Sequence, residues 1–226
     1  MPTTPPASTR TVDRALALLA AVVAQPRLSL AEAARATDLP ASTALRLLRS
    51  LETAGFVDRQ EEGEYRPGAR LIQLGARAFS REPLVRLARA PMDGVAEATG
   101  ESVYLSLRNG AQEAVYIAIV EGTHSVRHAS WVGRTVPLEG TAVGEVYRGE
   151  VPPGGYAHGG HSVEQDVTAL SSPVVVGGRV VAALSALVPD YRCTAEHADR
   201  CGRALAGATT RLASALGEEA PPEDAD

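Results

Sequence analysis

Ser42, Thr43 and Arg46 fall within the first two turns of a predicted helix and share its outward face with Arg49. A helix carrying such side chains can enter a DNA major groove, where a guanidinium takes guanine through two hydrogen bonds and discriminates by about 1 to 3 kcal/mol. Hydroxyls and backbone N–H groups beside it meet phosphates. Arg59 and Arg66, in two short strand-like runs just downstream, are placed for contacts to the DNA backbone. For an isolated helix the plainer alternative is a capped helix with solvated arginines.

A second stretch suits a small ligand. Trp131-Val-Gly-Arg-Thr-Val-Pro-Leu138 runs into Glu139-Gly-Thr-Ala-Val-Gly144, a strand and a proline turn leading to a helix that opens on small residues. Outward backbone N–H groups at such a start suit a carboxylate or other small anion, and Arg134 could add a charge-assisted clamp. Trp131 either walls a pocket or is plain core. His158 and His161 have the spacing of a metal-ligand pair, but no Cys or carboxylate cluster completes a known geometry, so no metal is expected. Ser171, Ser172 and Ser185 have no Gly-x-Ser-x-Gly setting and no evident base. A phosphate-cradling Gly-x-x-x-x-Gly-Lys-Ser/Thr loop is also missing. These gaps favour a binder over an enzyme, with no cofactor.

The elements that must position these groups follow from apolar spacing. Val12, Ala15, Leu16, Leu18, Leu19, Val22 and Val23 predict a helix ending before Pro26. Ser29 and Glu32 form a capping-box pattern ahead of a short helix, Leu30 to Thr37. Pro40 suits a first helical position, and a third helix runs from about Ala41 to Ala54, with Gly55 able to take a left-handed cap. Runs at Phe56 to Arg59 and Glu64 to Arg66 read as a hairpin, completing a winged helix-turn-helix plan that makes DNA contact the better reading of the third helix.

Residues 68–80 and 84–98 look helical and form a connector. Beyond Gly100 the apolar period switches to two, with strands predicted at Val103 to Leu107, Ala114 to Val120, Val126 to Val132, Val167 to Val176 and Arg179 to Val188. Helices are expected at about Thr141 to Arg148 and Thr194 to Leu216.

Composition agrees with a folded, two-part chain. Of 226 residues, 45% are apolar and 22% charged, ordinary globular values, and every one of the 22 basic residues is arginine. Net charge is −5, but residues 1–80 carry +2 and residues 81–226 carry −7. Cys193 and Cys201, eight apart, read as reduced thiols. With no signal-peptide pattern and no long apolar run, a cytoplasmic protein without a membrane partner is expected.

In order along the chain, Arg14-Ala-Leu-Ala-Leu-Leu19, Ser29-Leu-Ala-Glu-Ala-Ala34, Leu39-Pro-Ala-Ser-Thr-Ala-Leu-Arg-Leu-Leu48, Tyr65-Arg-Pro-Gly-Ala-Arg-Leu71, Val132-Gly-Arg-Thr-Val-Pro-Leu138, Asp166-Val-Thr-Ala-Leu-Ser-Ser-Pro-Val174 and Val180-Val-Ala-Ala-Leu-Ser185 resemble the IclR-type transcriptional regulators. The resemblance covers about residues 10–216. It implies an α+β chain: an N-terminal winged helix-turn-helix that dimerises, a linker helix, and a C-terminal GAF-like effector domain with a mostly antiparallel sheet that often builds tetramers. Thr43 and Arg46 match family positions that contact DNA. The family's ligand pocket maps onto Ala142, Val143, Ala169, Ser185 and Leu187, with Trp131 to Leu138 as an apolar wall. The sequence departs from the family at Ala41 and Leu45, where a basic residue and a His or Gln are common. It departs again at Ala169 and Asp166, where Cys and Gly are usual, and in a shortened stretch between Gly144 and Gly155.

The expected organisation is a disordered tail at 1–10, a winged helix-turn-helix at 11–67, a linker helix at 68–82, an effector domain at 83–216 and a frayed acidic tail at 217–226. The expected function is a ligand-responsive regulator, a repressor, that binds a double-stranded DNA operator as a homodimer or dimer of dimers and senses an organic or aromatic acid. Two rivals stay open on sequence alone: a small metabolite-processing enzyme whose front domain serves oligomerisation, and an effector-independent DNA-bridging protein.

Overall fold

Helix α1 (Arg10–Val23) buries Leu18 and Val22, and α3 (Ala41–Thr53) buries Ala44, Leu47 and Leu48. These faces meet α2 (Leu30–Ala36) and a hairpin of β1 (Val57–Arg59) and β2 (Tyr65–Pro67). This is a computed structural model, and it describes residues 9–80, 82–127, 130–160 and 163–219. The chain divides into two units, Met1–Arg81 and Glu82–Asp226.

In the first unit the capping box forms as expected: Glu32 N donates to Ser29 Oγ at 3.3 Å and Ser29 N to Glu32 Oε2 at 2.9 Å. Asp38, at φ 50°, makes the left-handed turn between α2 and α3. Pro40 caps α3 with an extended ψ of 138° and so precedes the helix instead of opening it. Gly55 takes the left-handed conformation that ends α3, at φ 77°. Tyr65, 1% exposed, exchanges backbone hydrogen bonds with Leu28 and so ties the hairpin to the segment before α2. Helix α1 starts inside the stretch read as a tail; residues 1–8 lie outside the described residues. Helix α4 (Ala69–Ser80) buries none of its residues and leaves Ile72, Leu74 and Phe79 exposed.

The second unit is a six-stranded sheet in the order β5-β4-β3-β8-β7-β6, every pair antiparallel. Its strands are β3 (Ser102–Asn109), β4 (Glu113–Val120), β5 (Thr135–Pro137), β6 (Ala157–Gly160), β7 (Val167–Val176) and β8 (Arg179–Pro189). Alternation along β8 sorts the two faces. Ala182, Leu184, Ala186 and Val188 pack with α5 (Pro83–Thr99) and α7 (Ala195–Glu219), whereas Ala183 and Leu187 pack with α6 (Ala142–Arg148).

Several expected boundaries move. The described part of 126–132 is not a strand; residues 128 and 129 lie outside the description. Gly133, at φ 86°, turns the chain there, and β5 pairs with β4 instead. Strand β6 is glycine-rich and carries no apolar alternation to announce it. Helix α5 buries Leu84, Ala88, Met92, Val95 and Ala96 in the second unit's core, so it is core and not connector. Helix α7 continues to Glu219, past the expected frayed end, and residues 220–226 lie outside the description. Cys193 precedes α7 and Cys201 is buried within it; both are free thiols.

A buried charge cluster fixes the start of α7. The Glu101 carboxylate, 1% exposed, accepts a fork from Arg192 at 2.7 and 2.8 Å and lies 2.9 Å from His197 Nε2. Among the described residues no helix is long and apolar enough to cross a membrane.

Candidate functional site

The outward face of α3 is a shallow groove lined by Ser42, Leu45, Arg46, Arg49, Ser50 and Thr53. Helical spacing from Ser42 brings these together on one side, while Ala44, Leu47 and Leu48 hold the opposite side in the core. Arg46 and Arg49 are exposed there, and neither is in an ion pair among the described residues. Ser50 and Thr53 turn their hydroxyls back onto the helix, donating to Arg46 O at 3.2 Å and Arg49 O at 2.8 Å. Thr43 is half-buried and lies outside this groove. On the hairpin Arg59 is exposed, whereas Arg66 pairs with Asp58 at 3.7 Å, an exposed bridge that a phosphate could displace at little cost. Leu45, Ser50 and Thr53 were missed in the sequence, although the i, i+3, i+8 and i+11 offsets from Ser42 point to them.

The second site is a cavity of about 450 Å³, part of it open to solvent, between the sheet and α6. Of the residues expected there, Trp131, Ala142, Val143, Ala169 and Leu187 line it. Three do not. Ser185 sits one layer back, its Oγ 2.7 Å from that of Ser171, which does line the cavity. Leu138 is buried in the core behind, and its carbonyl accepts from Thr141 Oγ and Arg148. The Arg134 guanidinium lies over the Trp131 ring, 5.0 Å from its centroid, held by the negative face of the indole.

The expected anion clamp is therefore not assembled. Thr141 also caps α6 itself: Gly144 N donates to its Oγ at 3.1 Å, and that hydroxyl donates to Pro137 O at 2.8 Å. The small residue at 144 answers a packing demand, because a Cβ there would stand 1.7 Å from Leu138 O.

Sequence reading missed Tyr116, Glu164 and Ser171 as lining groups. Tyr116 on β4 is 3% exposed; its ring packs 4.7 Å from Tyr104 and 6.4 Å from Trp131. Burial pushes the Tyr116 phenol well above its ordinary range, and the neighbouring Tyr104 and Tyr147 up to about 12, so all three hydroxyls stay protonated. Tyr147 donates to Ser106 O at 2.8 Å. Among the described residues no group of three His, Cys, Asp or Glu is placed to hold a metal; His158 is exposed on β6, and His161 lies outside the description.

Residues 11–61 match the family model for the IclR helix-turn-helix domain, and residues 76–153 that for the bacterial transcriptional regulator IclR C-terminal domain, together more than half of the chain. The HTH-type transcriptional regulator KipR of Bacillus subtilis (strain 168) is 33% identical over 129 residues, 57% of this chain and 51% of that protein. The chain spans about half the length of the curated relatives it matches. A crystal structure of an IclR transcriptional regulator from Alicyclobacillus acidocaldarius aligns with a TM-score of 0.78 at 23% identity, over 92% of this chain and 99% of that one. Another, an IclR homolog complexed with 4-hydroxybenzoate from Microbacterium hydrocarbonoxydans, aligns at 0.74 and 19% identity, over 92% of this chain and 100% of that one. Both likenesses speak to the fold.

Proposed function

The chain belongs to the IclR family of bacterial transcriptional regulators, and from that premise we propose that it is a cytoplasmic, ligand-responsive repressor reading a near-palindromic operator. The observation that carries this reading is the groove on α3, where Arg46 and Arg49 stand exposed on a helix whose other side is locked in a core. Arg46, nearer the N-terminus, reads base edges; Arg49, Arg59 and Arg66 meet phosphates.

Two copies supply the symmetry of such an operator. The exposed Val12 and Leu16 of α1 and Ile72 and Phe79 of α4 support pairing through the first unit, since exposed large apolar side chains gain by being covered. A dimer of dimers is the further assembly we assign to the second unit. Helix α4, with no buried residue, serves as linker.

The cavity against α6 holds the effector, and the neighbour's 4-hydroxybenzoate supports a ligand of about one aromatic ring. Such a ligand acts by binding two arrangements of the protein unequally. A hundredfold change in operator affinity needs about 2.7 kcal/mol of coupling, within the reach of one small site.

A mobility-shift assay of the full chain with DNA from upstream of its own gene tests the reading. Sequence-preferring binding at moderate salt is expected, and binding indifferent to sequence refutes it. A reporter under that upstream region should fall when the chain is supplied; a rise refutes repression.

A further inference from the structure

We propose that Leu45 reads the C5-methyl group of a thymine lying within two base pairs of the base that Arg46 takes, and so sets part of the operator sequence. This rests on the regulator reading above and narrows it to one chemical feature of the DNA.

The first support is where Leu45 stands. It lines the outward groove of α3 and is the one apolar side chain among the groove residues. It is half-buried, yet it is not part of the first unit's core, which takes Ala44, Leu47 and Leu48 from the same helix and packs Leu51 against them. A surface leucine alone needs no explanation. This one follows Ser42 by three residues and precedes Arg49 by four, so helical spacing sets it on the stripe that faces DNA.

The second support is the company it keeps. Ser50 and Thr53 commit their hydroxyl protons to Arg46 O and Arg49 O, which leaves the two guanidiniums as the long polar arms of the groove. Every base pair presents hydrogen-bonding groups in the major groove, and only thymine adds an apolar one, its C5-methyl. Leucine pressed on a polar edge strips water from it and returns no partner. Pressed on the methyl it gains by burial, so one side chain both favours thymine and penalises the alternatives.

The third support is reach. Leu45 and Arg46 are neighbours on the helix, about 1.5 Å apart in rise, whereas base pairs stack about 3.4 Å apart. The two side chains therefore address the same or adjacent steps of the duplex.

The test uses the full chain and a duplex that it enriches from a random pool. Each thymine of one half-site is replaced in turn by deoxyuridine, which removes only the methyl, and affinity is read by mobility shift. One replacement should weaken binding about fourfold, the worth of one buried methyl, and the others should change little. The sensitive thymine should lie within two base pairs of the position whose preference Arg46→Ala relaxes. Leu45→Ala should bind the unmodified duplex more weakly and lose nothing further with deoxyuridine. Deoxyuridine alters the DNA alone, so that arm is independent of how the variant folds.

A scan in which every deoxyuridine is neutral, a sensitive thymine far from the Arg46 position, or a loss that persists in full with Leu45→Ala overturns the proposal. In each of these cases an enriched sequence still leaves the regulator standing. A pool that yields no enriched sequence removes the regulator, and the thymine contact with it.

Discussion

Replacing Glu101 by Gln should destabilise the second unit by about 3 kcal/mol, the lower end of the 3 to 5 kcal/mol seen when one partner of a buried ion pair is removed. The carboxylate is 1% exposed and accepts both arms of the Arg192 fork and the His197 ring, with His124 Nε2 3.6 Å away. A glutamine amide has one acceptor oxygen where the carboxylate has two, so one arm of the fork would face an N–H group. Arg192 is 16% exposed and can recover some hydration, which sets the estimate at the low end. Each kcal/mol shifts the melting temperature of a domain of this size by about 2 to 4 °C, so a fall of about 6 to 12 °C is expected. Trp131 lies in the second unit, and its fluorescence follows that unit through urea or heat.

Acid supplies an independent arm of the same test. Burial raises the Glu101 carboxyl, but the hydrogen bonds from Arg192 and His197 outweigh it and leave the group below its ordinary range. A carboxyl depressed in the folded state stabilises above its unfolded value, about pH 4.3, and loses that contribution as pH falls through the folded value. The gap between wild type and Glu101→Gln should therefore be steady near neutrality and narrow below about pH 4. A neutral-pH loss under about 1 kcal/mol, or a gap that widens in acid, would refute the view that this carboxylate anchors α7 as an ion.

Four further substitutions test the two sites and their supports. Arg46→Ala should weaken operator binding by about 1 to 3 kcal/mol in a mobility-shift titration and relax preference at one base pair, while Arg49→Ala weakens all sequences alike. Gly144→Ala places a Cβ 1.7 Å from Leu138 O, backbone that cannot step aside cheaply, and should cost about 2 kcal/mol in urea unfolding of the second unit. Ser29→Ala removes the capping box of α2 and should cost about 1 kcal/mol in the first unit, read by loss of helical signal.

The first unit was legible because its determinants are local. Ser29 and Glu32 are three residues apart, the turn at Asp38 is a single backbone angle, and each helix exposes its period within a dozen residues. The strands with apolar alternation, β3, β4, β7 and β8, were legible for the same reason. Those that were not, β5 and β6, are short and follow their neighbours: β5 is fixed by its pairing with β4, and β6 by its pairing with β7. Neither has enough side-chain pattern to announce itself.

The cavity shows the limit more sharply. Trp131, Ala142, Val143, Ala169 and Leu187 belong to segments scattered over nearly 60 residues; the stretch holding Trp131, Ala142 and Val143 was readable locally, whereas Ala169 and Leu187 came from family resemblance alone. Tyr116, which lines the cavity, carries no signal at all in sequence, because an alternating strand tyrosine looks the same whether it faces a core or a ligand. Arg134 misled in the opposite sense. A guanidinium near a helix start has two uses, clamping an anion or lying on an aromatic face, and the choice depends on where the indole of Trp131 sits. That placement is tertiary: Trp131 is positioned against Tyr116 across a turn whose backbone pairs Tyr116 N with Arg134 O and Gly133 N with Tyr116 O. The same turn that sets Trp131 against Tyr116 thus lays the Arg134 guanidinium on the indole, and the use this arginine finds follows from one local geometry.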